Sequence, residues 1–321
     1  MVMQGAAPIP VTVIGGFLGA GKTTLVNHIL SGDHGLKVAV LVNDFGAVNI
    51  DAALITATEG SLYSLSNGCV CCGLNQGLVE QLEELLASRP DIDHVVIEAS
   101  GVADPARIMD TVRYARFAAR LRADAIVVMV DAAGFDDAIA AAPGLAEAQI
   151  GSADLLVLNK TELVDRTALD AWRAHWTFPD TRIVETARAC VPFDILFAGQ
   201  ISQRGIASRF AAEPVHEQAT SATWRHDGPI DLNCLQKVLA GLPTAIYRAK
   251  GFLRAHDGRR FAVHLVGTRL SFEPMAHAPE GLGTENLLVL IGFEKHPPFE
   301  TILAQLDGCV EPAAPAAKGH A

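Results

Sequence analysis

From residue 11 to about residue 200, short apolar, β-branched runs alternate with stretches whose apolar residues recur at helical spacing. The runs Val11–Ile14, Val38–Asn43, Ser61–Leu65, Val95–Glu98, Ala125–Val130, Leu155–Leu158 and Ile183–Glu185 predict strands. Most are continuously apolar, as in strands buried on both faces. Segments such as Leu74–Ala87 and Leu169–His175 predict helices between them. Such alternation implies an α/β domain, a mostly parallel sheet covered by helices on both faces. Ligands of these sheets bind beyond the carboxyl ends of the strands.

The pattern changes after residue 210. Residues 211–229 are polar and aperiodic and predict a linker. Beyond it, Leu232–Leu242 and Phe299–Leu306 predict helices, and Ala245–Arg254, Arg260–Leu270 and Leu287–Phe293 predict strands. Strands grouped without intervening helices imply a smaller α+β domain with an antiparallel sheet over residues 230–311. The Ala- and Pro-rich end, 312–321, has the composition of a disordered tail. Arg248, Lys250 and Arg254 share one predicted strand, either as a docking surface or as a solvated sheet face.

Gly16-Phe17-Leu18-Gly19-Ala20-Gly21-Lys22-Thr23 fits the phosphate-loop pattern G-x-x-x-x-G-K-[ST], between a predicted strand and a predicted helix. Gly16, Gly19, Ala20 and Gly21 would let backbone N–H groups face a β-phosphate, and the following helix N-terminus adds favourable partial charge. Lys22 would reach the β- and γ-phosphates, Thr23 would place its hydroxyl on Mg²⁺, and Thr24 extends the loop's contacts. This makes a P-loop NTPase domain the expected fold of residues 1–210.

Two more strand ends carry polar groups. Glu98-Ala99-Ser100-Gly101 closes one strand. Glu98 would support Mg²⁺, and Gly101 would let the backbone approach the γ-phosphate. Asn159-Lys160-Thr161-Glu162 closes another and resembles the N-K-x-D of GTPases. A carboxylate there accepts from the guanine ring N–H and amino group, a donor pair adenine lacks, so GTP rather than ATP is expected. Asp44, in Asn43-Asp44-Phe45-Gly46, would touch the Mg²⁺ shell or a thiol-bound metal, or act as an ordinary turn acid.

Cys69, Cys71 and Cys72 crowd into Gly68-Cys69-Val70-Cys71-Cys72-Gly73. Thiolates are soft ligands suited to Zn²⁺, Cu(I) or Fe–S centres. A closed structural zinc site needs four ligands, usually in two pairs, and no second cysteine pair is present. An open three-thiol site suits a metal that is handed on. A fixed structural zinc and a thiol redox switch are the alternatives. Cys190, Cys234 and Cys309 are scattered and expected to be small buried apolar residues. The cysteine usage suggests a reducing cytoplasm rather than a disulfide framework. The net charge of −11 argues against a nucleic-acid partner. No apolar run approaches the roughly 18–20 residues that cross a bilayer, and no signal peptide is evident, so no membrane association is expected.

Taken together these motifs resemble the CobW-like GTPases of the SIMIBI class, whose members include metal chaperones and activators of nitrile hydratase. The resemblance rests on residues 15–25, 43–46, 68–72, Glu98–Gly101 with Asp104-Pro105, Asn159–Glu162, and Tyr247-Arg248-Ala249-Lys250-Gly251-Phe252 in the second domain. It implies slow GTP hydrolysis coupled to binding and delivery of Zn²⁺ or Co²⁺, with Cys69, Cys71 and Cys72 as metal ligands. It also implies a client metalloprotein as partner, and a homodimer is a further possibility. Three features depart from the family pattern: Asp44 replaces the usual Glu, Glu162 replaces the usual Asp, and a histidine-rich linker is missing. The last favours one-site transfer over bulk metal storage and weakens the case for nickel. Cobalt delivery for cobalamin synthesis or nitrile hydratase, and a redox-sensing regulator, are the competing expectations.

Overall fold

The structure, a computed structural model, describes residues 8–43, 62–64, 74–177, 180–201, 219–275, 285–293 and 297–310. The chain divides into two compact units, Met1–Phe193 and Asp194–Ala321.

The first unit is an α/β sheet of seven parallel strands among the described residues. They are β1 (Ile9–Gly16), β2 (Val38–Asn43), β3 (Leu62–Ser64), β4 (His94–Ala99), β5 (Leu121–Asp131), β6 (Leu155–Asn159) and β7 (Ile183–Thr186). Their spatial order is β3-β2-β4-β1-β5-β6-β7. The helices are α1 (Lys22–Ser31), α2 (Leu74–Ser88), α3 (Pro105–Val112), α4 (Phe135–Ala141), α5 (Pro143–Ser152) and α6 (Arg166–Trp176), and α7 (Phe193–Ile201) begins at the boundary and runs into the second unit. The central strands are largely apolar because each face is covered. Val11, Val13, Val95 and Ile97 share a core with Leu78, Leu82 and Leu85 of α2 and Met109 of α3. The intervening positions, Ile14, Val96 and Glu98 among them, lie on the opposite face, where Leu25, Val26 and Ile29 of α1 are buried. Truncating a fully buried Leu82 to Ala would cost about 2–5 kcal/mol.

β5 begins four residues earlier than its apolar run, at Leu121. Its first half carries Arg122 and Asp124, a charge pattern that conceals a strand. The two pair at 3.1 Å, and the buried Asp124 also accepts from Thr12 Oγ1 at 3.4 Å. The paired charges make burial tolerable.

The second unit is a five-stranded antiparallel sheet in the order β11-β10-β9-β12-β8. It comprises β8 (Ala219–His226), β9 (Ile246–Arg254), β10 (Arg260–Val266), β11 (Arg269–Met275) and β12 (Asn286–Phe293), with α8 (Leu232–Ala240) and α9 (Phe299–Asp307). Three expectations need correction. Residues 219–226, expected in the linker, form edge strand β8, whose Trp224 is buried and donates from Nε1 to Asp307 at 2.8 Å. The single strand expected over 260–270 is a hairpin. Gly267 adopts φ +57°, a left-handed conformation open to glycine, and the chain reverses into β11. Cys234 and Cys309, expected as separate apolar residues, form a disulfide across 75 residues of sequence, while Cys190 is exposed. That disulfide also stands against the expectation of a wholly reduced set of cysteines.

Arg248 and Lys250 are 4% and 6% exposed, so β9 does not present them on a solvated face. Arg254 donates to the Asp227 carbonyl. Among the described residues no helix is long and apolar enough to cross a membrane. The tail 312–321 lies outside the described residues.

Candidate nucleotide site

The loop between β1 and α1 carries Gly16, Gly19 and Gly21 at φ +129°, +78° and +104°. These values are open to glycine and strained for other residues, which is why the sequence alternates glycine here. At Gly16 a Cβ would strike the backbone of Met129, and at Gly21 it would strike the Asn159 side chain. Gly19 faces open space. Ala20 is buried, Thr24 exposed. α1 starts at Lys22, so its first N–H groups open onto this loop. The Lys22 ammonium, on a buried stem, donates back across the loop to the Phe17 carbonyl at 3.0 Å. Thr23 Oγ1 donates to Glu98 Oε1 at 2.8 Å. Glu98 ends β4 at 1% exposure. A hydroxyl and a buried carboxylate side by side, next to a phosphate loop, are hard oxygen donors that fit Mg²⁺.

The turn after β4 leans on the loop. A Cβ at Gly101 would lie 2.8 Å from the Leu18 backbone nitrogen, so only glycine allows this approach. One step on, Asp104 caps α3 by accepting from Ala106 N at 2.9 Å, with Pro105 in the first turn. Pro105 in turn lies over Gly15, where a Cβ would come within 2.8 Å of its ring.

Asn159 ends β6 and is 2% exposed. Its Nδ2 donates to the Ala20 carbonyl at 2.9 Å, and its Oδ1 accepts from Ala189 N at 2.8 Å. It therefore ties the phosphate loop to the turn after β7, where Arg188 and Ala189 adopt φ +55° and +57°. Lys160 also has positive φ, +60°, and its ammonium pairs with Asp131 at 2.5 Å. Glu162 sits exposed on a short 3-10 turn, Thr161–Leu163.

The fold thus gathers Gly16 to Thr24, Glu98, Gly101, Asn159 and Lys160 at the carboxyl ends of β1, β4 and β6. Asp44, Cys69, Cys71 and Cys72 lie outside the described residues, and no group of three or more potential metal-ligating side chains occurs among the described ones. The described flanks of the thiol segment are Ser64, the carboxyl end of β3, and Leu74, the start of α2.

Sequence reasoning missed three participants. Asp131 and Thr186 each end an apolar strand, as Glu98 and Asn159 do, and that shared signal would have found them. Thr186 accepts through its carbonyl from Thr161 Oγ1 at 3.2 Å. Gln149 of α5 is 2% exposed and donates to the Gly101 and Ala103 carbonyls at 3.3 and 2.9 Å. Nothing in its local sequence marks it.

A parallel sheet with this glycine loop, helix start and strand-end polar set defines a P-loop nucleotide-binding protein. Residues 10–177 match the model for the CobW/HypB/UreG nucleotide-binding domain, and residues 219–310 match the cobalamin synthesis protein cobW C-terminal domain. The chain belongs to the CobW/HypB/UreG family. It is similar to the zinc chaperone CobW of Sinorhizobium sp, 30% identical over 332 residues covering 88% of this chain and 92% of the relative. It is 34% identical over 230 residues to the zinc chaperone CobW of Pseudomonas aeruginosa, covering 60% of each chain. The Zn(II)-bound YjiA GTPase from E. coli aligns with TM-score 0.47 and 26% identity over 95% of this chain and 100% of that one.

Proposed function

We propose that the protein is a GTP-hydrolysing metallochaperone that binds a transition metal, zinc above others, through Cys69, Cys71 and Cys72 and delivers it to a client metalloprotein. The observation that carries the nucleotide half is the convergence of Thr23, Glu98, Gly101 and Asn159 on one glycine loop. The metal half is supported by three thiols in four positions of the same domain and by relatives named as zinc chaperones.

In this reading the loop amides and Lys22 hold the β- and γ-phosphates and stabilise charge that develops on them. Thr23 and Glu98 hold Mg²⁺, which neutralises phosphate charge when bound. Gly101 approaches the γ-phosphate through its backbone. Asn159 sets the loop against the base-side turn, Lys160 packs its stem on guanine, and Glu162 accepts from the guanine donors, with Asp44 at the edge of the Mg²⁺ or thiol site. Slow intrinsic hydrolysis is what the family resemblance implies, with an activating client to speed it. A nucleotide-dependent change of about 1–3 kcal/mol in metal binding, about 5–150-fold, would load and unload the cargo.

The test is competition for Zn²⁺ and Co²⁺ against a chromogenic chelator, with Mg²⁺–GTP, Mg²⁺–GDP and no nucleotide, beside Cys71→Ala. Tight binding that needs GTP and disappears in the variant supports the carrier. Binding indifferent to nucleotide removes the coupling. A preference for Co²⁺ would move the cargo to cobalt. A cysteine disulfide that alters GTP affinity without metal would favour the redox regulator.

A further inference from the structure

We propose that Gln149 is the positioning residue that holds the γ-phosphate-sensing turn and links it to helix α5. This deepens the function proposed above and rests on GTP binding at the glycine loop. Gln149 is buried at 2% exposure on the second half of α5, and it spans 48 residues of sequence to reach Gly101 and 46 to reach Ala103. Its Nε2 donates to both carbonyls. A buried amide costs free energy unless it is hydrogen-bonded, so a side chain placed here is committed to these two acceptors.

The Gly101 carbonyl belongs to the 101–102 peptide plane and the Ala103 carbonyl to the 103–104 plane, so the two planes bracket the segment that carries the exposed Val102. Peptide units are planar and rigid, so holding their oxygens fixes the orientation of both. The remaining bond of the turn, Ala103 N to Ser100 O at 2.9 Å, closes it on itself. The turn therefore cannot rotate toward or away from Leu18 unless Gln149 moves with it or releases it.

Apolar packing also joins the turn to α5, since Ala103 and Ile150 share one buried core, but it fixes no backbone carbonyl. A cavity of about 180 Å³ lies between the glycine loop and the helices, lined by Phe17, Leu18, Met129, Phe135, Gln149 and Ile150 among others. Close-packed interiors transmit displacement, and a void does not. The Gln149 amide adds a directional link from the turn to α5 beside this cavity. Gln149 does not reach the phosphates. It acts through the backbone of Gly101, so its effect belongs to the nucleotide carrying a third phosphate.

The experiment uses the full chain with fluorescent GDP and a non-hydrolysable GTP analogue, plus single-turnover GTP hydrolysis. In Gln149→Met, which fills similar volume and cannot donate, GDP affinity stays close to that of the unaltered protein. Affinity for the GTP analogue falls about tenfold, which is about 1.4 kcal/mol, and hydrolysis slows at least as much. Equal losses for both nucleotides, or no loss for either, would overturn the proposal. If the unaltered protein binds neither nucleotide, the proposed function fails instead. Should Gln149→Met not fold, hydrogen exchange on the unaltered protein decides. The GTP analogue, relative to GDP, must change protection in residues 100–104 and in α5 together. A change in the turn alone would sink the link.

Discussion

The Lys160 ammonium and the Asp131 carboxylate are joined at 2.5 Å, Asp131 ending β5 and Lys160 following the last residue of the neighbouring parallel strand β6. Asp131 Oδ1 meanwhile accepts from Ala133 N and Gly134 N at 3.0 and 3.1 Å, at the entry to α4. One carboxylate thus anchors both Lys160 and a helix start. If it acts through Lys160, Asp131→Asn and Lys160→Met will each weaken GDP binding about tenfold, about 1.4 kcal/mol. The double variant will lose little more, because residues in direct contact are not additive. Nucleotide titration of the four proteins checks this. Additive losses would show that Asp131 works through α4 instead.

Gly101→Ala places a methyl group 2.6 Å from Leu18 Cδ2 and 2.8 Å from Leu18 N. The side chain can yield, but the backbone nitrogen belongs to the phosphate loop. A misplacement of the loop by about 1 Å costs about 100-fold in rate. Single-turnover hydrolysis is expected to fall by that order while the melting temperature changes little. Unchanged hydrolysis would remove Gly101 from the phosphate site.

His34 makes stability depend on pH. Its Nδ1 accepts from Leu36 N at 3.2 Å and its Nε2 donates to the Ile29 carbonyl at 2.9 Å, which selects the neutral ring. Burial lowers its pKa below the ordinary histidine value, against raising contributions from the Ile29 carbonyl and Asp33. The unfolded chain therefore binds more protons than the folded one between the two pKa values. The stabilisation is complete above the unfolded value of about 6.5 and is lost as pH falls toward the folded one. Urea midpoints are expected to drop between about pH 7.5 and about pH 5.5, and less so in His34→Gln. Identical slopes would assign the effect elsewhere.

The Cys234–Cys309 disulfide closes a long loop around the whole β9–β12 sheet. Constraint of the unfolded chain by such a bridge is worth about 2–4 kcal/mol. Reduction is expected to lower the melting temperature of the second unit, and Cys234→Ser should reproduce the reduced value. A melt indifferent to reductant would show that the bridge contributes nothing to this unit in solution.

Wherever one segment's own chemistry dictates its conformation, the sequence was enough. Continuous apolar runs required buried parallel strands, the glycine loop required left-handed backbone, and a carboxylate or amide after an apolar strand marked the ligand edge at Glu98 and Asn159. Tertiary structure decided what depends on partners distant in the chain. The first half of β5 is a strand because Arg122 and Asp124 neutralise each other. Gly267 turns one expected strand into a hairpin, and β8 gains its ladder from β12, 60 or more residues away in sequence. Cys234 finds Cys309 only when α8 and α9 share a core. Gln149 and Asp131 acquire roles from carbonyls and a lysine brought beside them by the sheet order. Local propensity is written residue by residue, whereas a hydrogen bond across 48 residues exists only after the chain has folded.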